Sequence, residues 1–443
     1  MNLEERVVVK ITDLNRDSDG VAKHDGAVIF IPGSLPGDEV LVEITELKRN
    51  YFKAKVIEYI KLSEDRITAL CPHAEGCSGC SLQELEYNAE IKLKRDLIQN
   101  NLEKIAGIKR EIEFIASSKT EGYRNKITLK VDDDGNLGYY KRGSRNHYKI
   151  KNCIIAGAAI QSIIPSVQRT LIKHNRVFKE KVENRYPIKE VVLRMSSDNG
   201  VMLIIGSLKA KFYGADSLFK ELSELPEVET VYLREDVFVR RRFKEHRYIL
   251  KQGKRKMNYQ IGDLKYVVSP ESFTQINSYM TETLYDTALN FIKRENSEYL
   301  IDLFCGIGTT TCYFSGGSKN LYGVEISKTA IKDASENAKL NNIDNIIFQA
   351  ADANTDTSDL IHTKKPDTIV VDPPRAGIER ILIENIITST AKRVVYISCD
   401  PATLSRDVKL FVDGGFMVDE IVGVDLFPRT LHVESIILMT YCG

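Results

Sequence analysis

From Tyr299 to Cys399 the chain repeats one pattern: a short apolar run ends on a polar side chain, and a helix-forming stretch follows. YLIDLFCGIGTTT runs from an apolar strand into a glycine turn at Gly306 and Gly308. LYGVEIS then ends at Glu325, IIFQAAD at Asp352, TIVVDPP at Asp372 and RVVYISC at Cys399. Strands alternating with helices predict a parallel α/β sheet of Rossmann-like type. In an open sheet of that kind, ligands bind outside the carboxyl ends of the strands, so these five ends are expected to converge on one crevice. The two glycines let backbone approach a ligand where a side chain would clash. Thr311 breaks the GxGxxG pattern, which argues against a dinucleotide enzyme. Glu325, 19 residues after Gly306, is placed to accept both ribose hydroxyls of a nucleoside.

At 443 residues the chain is too long for one core, and two to three domains are expected. No apolar run approaches the ~20 residues that span a bilayer. The opening MNLEERVVVKITDL is charged and then strand-like, unlike a signal peptide, so no membrane association and a cytoplasmic location are expected. Lys+Arg and Asp+Glu balance at 62 each, but the distribution is uneven. Lys119 to Lys151 holds nine basic residues against four acidic, and Arg234 to Lys256 holds ten against three. Such stretches suit phosphate tracking as well as a solvated face.

Three regions follow from the patterning. Residues 1–62 read as a small OB-like β-barrel of about five short strands. Residues 63–256 are a mixed α+β region whose helical segment, 82–115, is placed against the catalytic domain. It contains a hairpin signal in KITLKVDDDGNLGYY. Residues 257–443 carry the strand–helix alternation. Within the first region, GVAKHDGAVIFIPGSLPGDEV closely resembles the TRAM domain, which accompanies RNA-modifying enzymes.

The chemistry-bearing residues fall in the last region. Asp372 ends a strand before two prolines in VVDPPRAGI. DPP motifs also serve amino-methyltransferases, but Arg375 stands here where those place an aromatic. Cys399, in YISCDPATLSRDV, precedes a helix whose N-terminus is expected to stabilise a thiolate. If the final strand is antiparallel, Glu434 lies at the same edge, in apolar surroundings that suit a general base. One thiolate, one base and one group to hold a pyrimidine edge match what methylation of uracil C5 requires. Addition of sulfur to C6 makes C5 nucleophilic, and a base later removes the C5 proton.

The set DLFCGIG, VVDPPRAG, YISCDPATLSRD and FPRTLHVESI resembles the RNA 5-methyluridine methyltransferase family over most of the chain. The resemblance implies S-adenosyl-L-methionine as methyl donor, Cys399 as nucleophile and Glu434 as proton acceptor. It implies Asp372 as the residue holding the target base. Cofactor contacts are implied for Gln275 (in SFTQIN), Phe304, Glu325 and Asp352 beside Gly306, Gly308 and Thr309. Thr309 departs from relatives that carry Asn.

Cys71, Cys77 and Cys80 have the spacing C-x5-C-x2-C, and Cys153 follows in HYKIKNCIIAG. Four thiolates suit tetrahedral zinc or a [4Fe–4S] cluster, and spacing alone leans to zinc. Together with the TRAM segment, the cysteines resemble the 23S rRNA branch of the family, which implies a [4Fe–4S] cluster, structured RNA (23S rRNA) as partner and a monomer. The tRNA branch generally lacks both features. A radical SAM methylthiotransferase would need C-x3-C-x2-C, which is absent. A silent RNA-binding protein would not need Cys399, Glu434 and Asp372 together.

Overall fold

The structure, a computed structural model, describes residues 2–182, 186–239 and 242–443. The chain forms two compact units, Met1–Lys94 with Arg429–Leu431, and Arg95–Pro428 with His432–Gly443. Among the described residues no helix is long and apolar enough to cross a membrane.

The first unit contains a six-stranded sheet. Its strands are β1 (Arg6–Lys10), β2 (Asp13–Leu14), β3 (Gly20–His24), β4 (Ala27–Ile31), β5 (Glu39–Leu47) and β6 (Phe52–Lys61), in the order β1-β5-β6-β4-β3-β2. Alternate residues face inward, as the period-2 pattern requires. Val7, Val9, Val40, Val42 and Ile44 share one core with Ile29 and Ile31. The fully buried Asp38 accepts from the Leu35 N–H at 2.7 Å, the Ser63 N–H at 2.9 Å and Arg66 Nε at 2.9 Å. It thereby fastens the end of β6 to the turn before β5. Helix α1 is Tyr87–Asn101 and runs on through a π-helical turn at Leu102–Ala106, so the helical segment is shorter than the expected 82–115 and strand β7 (Glu113–Ile115) takes its end.

The second unit holds a seven-stranded sheet, a hairpin and an eight-stranded sheet. The seven-stranded sheet contains β8 (Lys126–Val131), β9 (Leu137–Tyr140), β10 (His147–Lys149), β11 (Ile188–Met195), β12 (Val201–Ser207), β13 (Val228–Val239) and β14 (Arg242–Gly253). Helices α2 (Ala158–Lys181) and α3 (Ala215–Ser223) belong to the same region. The expected DDDG hairpin joins β8 to β9, with Asp132 Oδ1 accepting from the N–H groups of Asp134 and Asn136. Part of the basic excess is spent inside this sheet. Glu190 accepts from Lys130 at 2.6 Å and from Arg234 at 2.5 Å. Burial, with Arg194 and Arg234 nearby, pushes Lys126 down to about 8. The residues exposed for phosphate are therefore fewer than the sequence count: Lys119, Lys141, Arg142, Arg145, Lys149 and Lys151 in the first stretch, and Lys244, Arg247, Lys254 and Arg255 in the second. Arg240 and Arg241 of that second stretch lie outside the described residues.

The α/β alternation expected from Met257 begins later. Residues from Met257 first form an antiparallel hairpin, β15 (Met257–Ile261) with β16 (Leu264–Val268). After α4 (Ser278–Ile292) comes the eight-stranded sheet. It contains β7 (Glu113–Ile115), β17 (Tyr299–Leu303), β18 (Asn320–Glu325), β19 (Ile346–Ala350), β20 (Thr368–Val371), β21 (Arg393–Ser398), β22 (Phe416–Val424) and β23 (Glu434–Tyr441). Their order is β19-β18-β17-β20-β21-β23-β22-β7. Five central strands are parallel, β23 is antiparallel to both neighbours, and β7 adds parallel to β22. The crossover helices are α5 (Thr309–Tyr313), α6 (Lys328–Leu340), α7 (Ser358–Lys364), α8 (Arg380–Ile387) and α9 (Pro401–Asp413). Ile98, Leu102 and Ile112, from the segment after Lys94, share the core of this sheet with Ile437 and Met439.

Candidate active site

The polar strand ends fall along one edge of the eight-stranded sheet, in spatial order. Asp352 lies just past β19, Glu325 ends β18, Phe304 follows β17, Asp372 follows β20 and Cys399 follows β21. Strand β23 runs the other way, so its first residue belongs to the same edge. Ser398 pairs with Ser435, and one further step in that register sets Cys399 opposite Glu434. The pairing places thiol and carboxyl on neighbouring strands although they are 35 positions apart in the sequence.

The glycine turn has the conformation a close ligand requires. Phe304, Gly306 and Gly308 have φ of 67°, 55° and 74°. A left-handed conformation at a non-glycine such as Phe304 is strained and tends to mark functional turns. A Cβ on Gly306 would meet nothing within 4 Å, so its face of the turn is open. A Cβ on Gly308 would lie 2.9 Å from Ala334 and Phe348, so this glycine is required for packing against α6. Beneath the turn Asp302 is fully buried, with Oδ2 accepting from the hydroxyls of Thr310 (2.7 Å) and Thr311 (2.6 Å). Thr309 is turned to packing: its hydroxyl meets Tyr285 Oη at 3.2 Å and its carbonyl accepts from Tyr266 Oη. Glu325 Oε1 accepts from the Ser327 N–H at 2.9 Å, and Asp352 Oδ1 from that of Asn354 at 2.9 Å. An open glycine turn with two strand-end carboxylates, Glu325 and Asp352, on the neighbouring strands to one side fits an adenosyl cofactor.

Gln275 is nearly buried, and its carbonyl accepts from Asn125 Nδ2 at 3.1 Å and Tyr259 Oη at 3.2 Å. Its neighbour Phe273 is 67% exposed, an aromatic face that sequence patterning alone did not single out.

The electrostatics of the reacting groups differ from expectation. The N-cap of α9 is Asp400, whose own Oδ1 accepts from the N–H groups of Ala402 (3.2 Å) and Thr403 (3.1 Å). The helix terminus is thus satisfied by a carboxylate and does not hold the thiol in its anionic form. Burial and then Glu434 push Cys399 up to about 12, with Arg375 opposing. Glu434 is held well above the ordinary carboxyl range by burial and then Asp372. Asp372 is raised to about 7 by burial and then Asp302, and Asp302 to about 6 by burial. At neutral pH the resting thiol is therefore largely protonated, and both carboxyls are shifted toward their protonated forms.

Residues not singled out from the sequence fix the loop after Asp372. Thr403 Oγ1 donates to the Arg375 carbonyl at 3.2 Å, and Arg406 Nη2 to that of Ala376 at 3.0 Å. Asp407 Oδ2 accepts from the Ile378 N–H at 3.0 Å and from Tyr396 Oη at 2.7 Å. Asp400, Thr403 and Asp407 recur at helical spacing, a signal in the sequence that one polar face of α9 is turned inward. Arg375 reaches His432 Nε2 at 3.2 Å.

Among the described residues no group of three or more His, Cys, Asp or Glu side chains is close enough to hold a metal ion. Cys71, Cys77 and Cys80 belong to the first unit and Cys153 to the second. None of the eight cysteines is in a disulfide.

A sheet ordered 3-2-1-4-5-7-6 with strand 7 antiparallel, and a ligand turn after strand 1, is the fold of a class I methyltransferase. Residues 86–441 match the family described as tRNA (uracil-5-)-methyltransferase, and residues 4–57 match the TRAM domain. The chain belongs to the tRNA (uracil-5-)-methyltransferase family. It is 31% identical over 446 residues to an uncharacterized RNA methyltransferase of Caldanaerobacter subterraneus subsp. tengcongensis, covering 99% of each chain. It is 33% identical over 450 residues to one of Halalkalibacterium halodurans, covering 99% of this chain and 98% of the relative. Among solved structures, it resembles a Pyrococcus abyssi tRNA (uracil-54, C5)-methyltransferase in complex with S-adenosyl-L-homocysteine. That match has a TM-score of 0.74 at 27% identity, over 98% of this chain and 100% of the other.

Proposed function

We propose that this protein methylates carbon 5 of a uridine in RNA through a covalent adduct between Cys399 and carbon 6, with 23S rRNA as substrate. The observation that carries the reading is the β21–β23 register that opposes Cys399 and Glu434, with Asp372 one strand away. S-adenosyl-L-methionine, when bound, supplies a methyl group on a sulfonium centre. Gln275, Phe304, Gly306, Gly308, Glu325 and Asp352 form its site, with Thr309 supporting the turn from behind. Asp372, raised to about 7, holds the uracil edge and donates a hydrogen bond while it is protonated. As RNA binds, Cys399 and Glu434 each release a proton to solvent; the thiolate adds to C6, the C5–C6 π electrons move toward O4, and C5 then takes the methyl group. Glu434, ionised at that stage, accepts the C5 proton, and the C6–S bond breaks to restore the ring and the thiolate. The three regions 1–62, 63–256 and 257–443 divide the work into RNA affinity, RNA orientation and catalysis.

A second reading, tRNA as substrate, is favoured by the Pyrococcus enzyme, which matches 98% of this chain. Labelled methyl transfer to total rRNA and total tRNA, followed by mass spectrometry of the modified nucleotide, decides between them. Methylation of neither RNA at C5 would overturn the function.

A [4Fe–4S] cluster on Cys71, Cys77, Cys80 and Cys153 rests on the family resemblance, since the spacing alone leans to zinc, and no catalytic step runs through it. Protein purified without oxygen is expected to be brown with about four irons per chain. Stoichiometric zinc without iron would refute the cluster.

A further inference from the structure

The segment from Ser269 to Asn277, which leads into α4, exposes Glu271 and Phe273 but buries its uncharged polar side chains: Ser269, Ser272, Thr274, Gln275 and Asn277 are each 6% exposed or less. A loop without a strand ladder must find other partners for its backbone groups. It finds them in two opposite charges from different parts of the second unit. Arg194, on β11 of the seven-stranded sheet, is 1% exposed. Its Nη1 donates to the carbonyls of Ser269 (3.2 Å), Pro270 (3.4 Å) and Ser272 (3.0 Å), and its Nη2 to Thr274 Oγ1 (3.1 Å). Asp333, on α6 and 1% exposed, accepts from the Ser269 N–H (3.2 Å) and from the hydroxyls of Ser269 and Ser272 (both 3.0 Å). Lys256 Nζ lies 2.7 Å from the same carboxylate. The two charges therefore grip the same two serines, one by their carbonyls and the other by their donors.

Helix α6 continues the grip toward the glycine turn. Asn337, one turn beyond Asp333, accepts from the Val267 N–H at 2.8 Å and donates to the Ile307 carbonyl at 3.0 Å. The loop carrying Gln275 and the turn carrying Gly306 are thus referenced to one helix.

We infer that Arg194 and Asp333 are positioning residues for the cofactor site: they fix the 269–275 loop so that Gln275 is preorganised for the adenosyl ligand, and the seven-stranded sheet thereby takes part in cofactor binding. The inference rests on the reading that Gln275 contacts the cofactor. A fully buried guanidinium that makes its hydrogen bonds to one loop is costly to desolvate, and burial pulls Arg194 down to about 10. Fixing a loop before the ligand arrives removes an ordering cost from binding.

The test uses full-length protein and S-adenosyl-L-homocysteine as the calorimetric probe, with melting temperature and separate KM values for cofactor and RNA. Arg194→Met and Asp333→Asn should each weaken binding of the probe about tenfold or more, the scale of a lost charge-assisted hydrogen bond. The KM for RNA should stay within about twofold, because the loss is local to the loop. Arg194→Lys should recover part of the affinity, since an ammonium can still reach some of the carbonyls. Gln275→Ala tests the underlying reading on its own, and combined with Arg194→Met it should lose little beyond the single variant if Arg194 acts through Gln275. If Gln275→Ala weakens the probe while folded Arg194→Met or Asp333→Asn binds it normally, the inference fails and the reading stands. If Gln275→Ala binds normally, the reading itself fails. Equal loss of cofactor and RNA affinity in the Arg194 and Asp333 variants would mark general loosening and also overturn the inference. Should Arg194→Met not fold, Asp333→Asn and Arg194→Lys carry the same comparison.

Discussion

At the residue scale, the reacting groups are coupled in one direction. On top of burial, Glu434 and Asp372 raise the proton affinity of Cys399, and Asp372 raises that of Glu434. Cys399→Ala is expected to abolish turnover, because C5 then gains no enolate character. Glu434→Gln keeps the shape but cannot take the C5 proton, so it should accumulate an RNA–protein adduct that survives denaturing electrophoresis. The double variant should show none, and an adduct mapped to any residue other than Cys399 would overturn the mechanism. Asp372 gives a stability prediction with a definite sign. Its folded value of about 7 lies above the ordinary 3.8, so between those values the folded state holds more protons than the unfolded. Stability from this group therefore falls as pH rises from about 4 to about 7. Asp372→Asn should gain on the order of 1–3 kcal/mol relative to wild type at pH 8 and nothing at pH 4, read from denaturant midpoints.

At the element scale, the antiparallel return of β23 creates the site. A parallel last strand would carry Glu434 to the far edge of the sheet. The packing of Gly308 against α6 is the second such dependence. Gly308→Ala combines a φ of 74° with a methyl 2.9 Å from Ala334 and Phe348. It should cost about 1–3 kcal/mol of stability. It should also weaken S-adenosyl-L-homocysteine binding about tenfold or more, because the turn must shift. Unchanged affinity in calorimetry would show that the turn tolerates displacement.

At the scale of the whole molecule, net neutrality hides an uneven surface. Lys141 and Arg145 are exposed, whereas Lys130 and Arg234 are tied to Glu190. Substituting Lys141 and Arg145 by Gln should lower RNA affinity across sequences and reduce the salt slope of log K by up to about two. The same changes at Lys130 and Arg234 should act mainly on stability, and cofactor affinity should be untouched by the surface pair. An unchanged slope in the Lys141/Arg145 variant would remove that stretch from the RNA interface.

The repeating apolar strands with polar ends, the glycine turn, the antiparallel hairpin at DDDG and the TRAM segment were legible in the sequence because each is a local pattern with a local cause. The same locality explains why Asp352, Glu325, Phe304, Asp372 and Cys399 could be assigned to one edge: parallel strands joined by crossovers end on one side. Other features were decided by tertiary structure alone. The proton affinity of Cys399 is the clearest case, since a helix start predicts a lowered value. Burial first, then the approach of Glu434 from a strand 35 residues away, give the opposite, and the Asp400 carboxylate caps the helix in the thiol's place. The partners of the 269–275 loop are likewise drawn from β11 and α6, far apart in the chain, and no spacing rule announces them. Charge counts along the chain could not separate Lys130, spent on Glu190, from Lys141, left exposed. Local sequence sets backbone direction and which face is apolar, but the dielectric and the partners of a buried charge depend on every element packed around it.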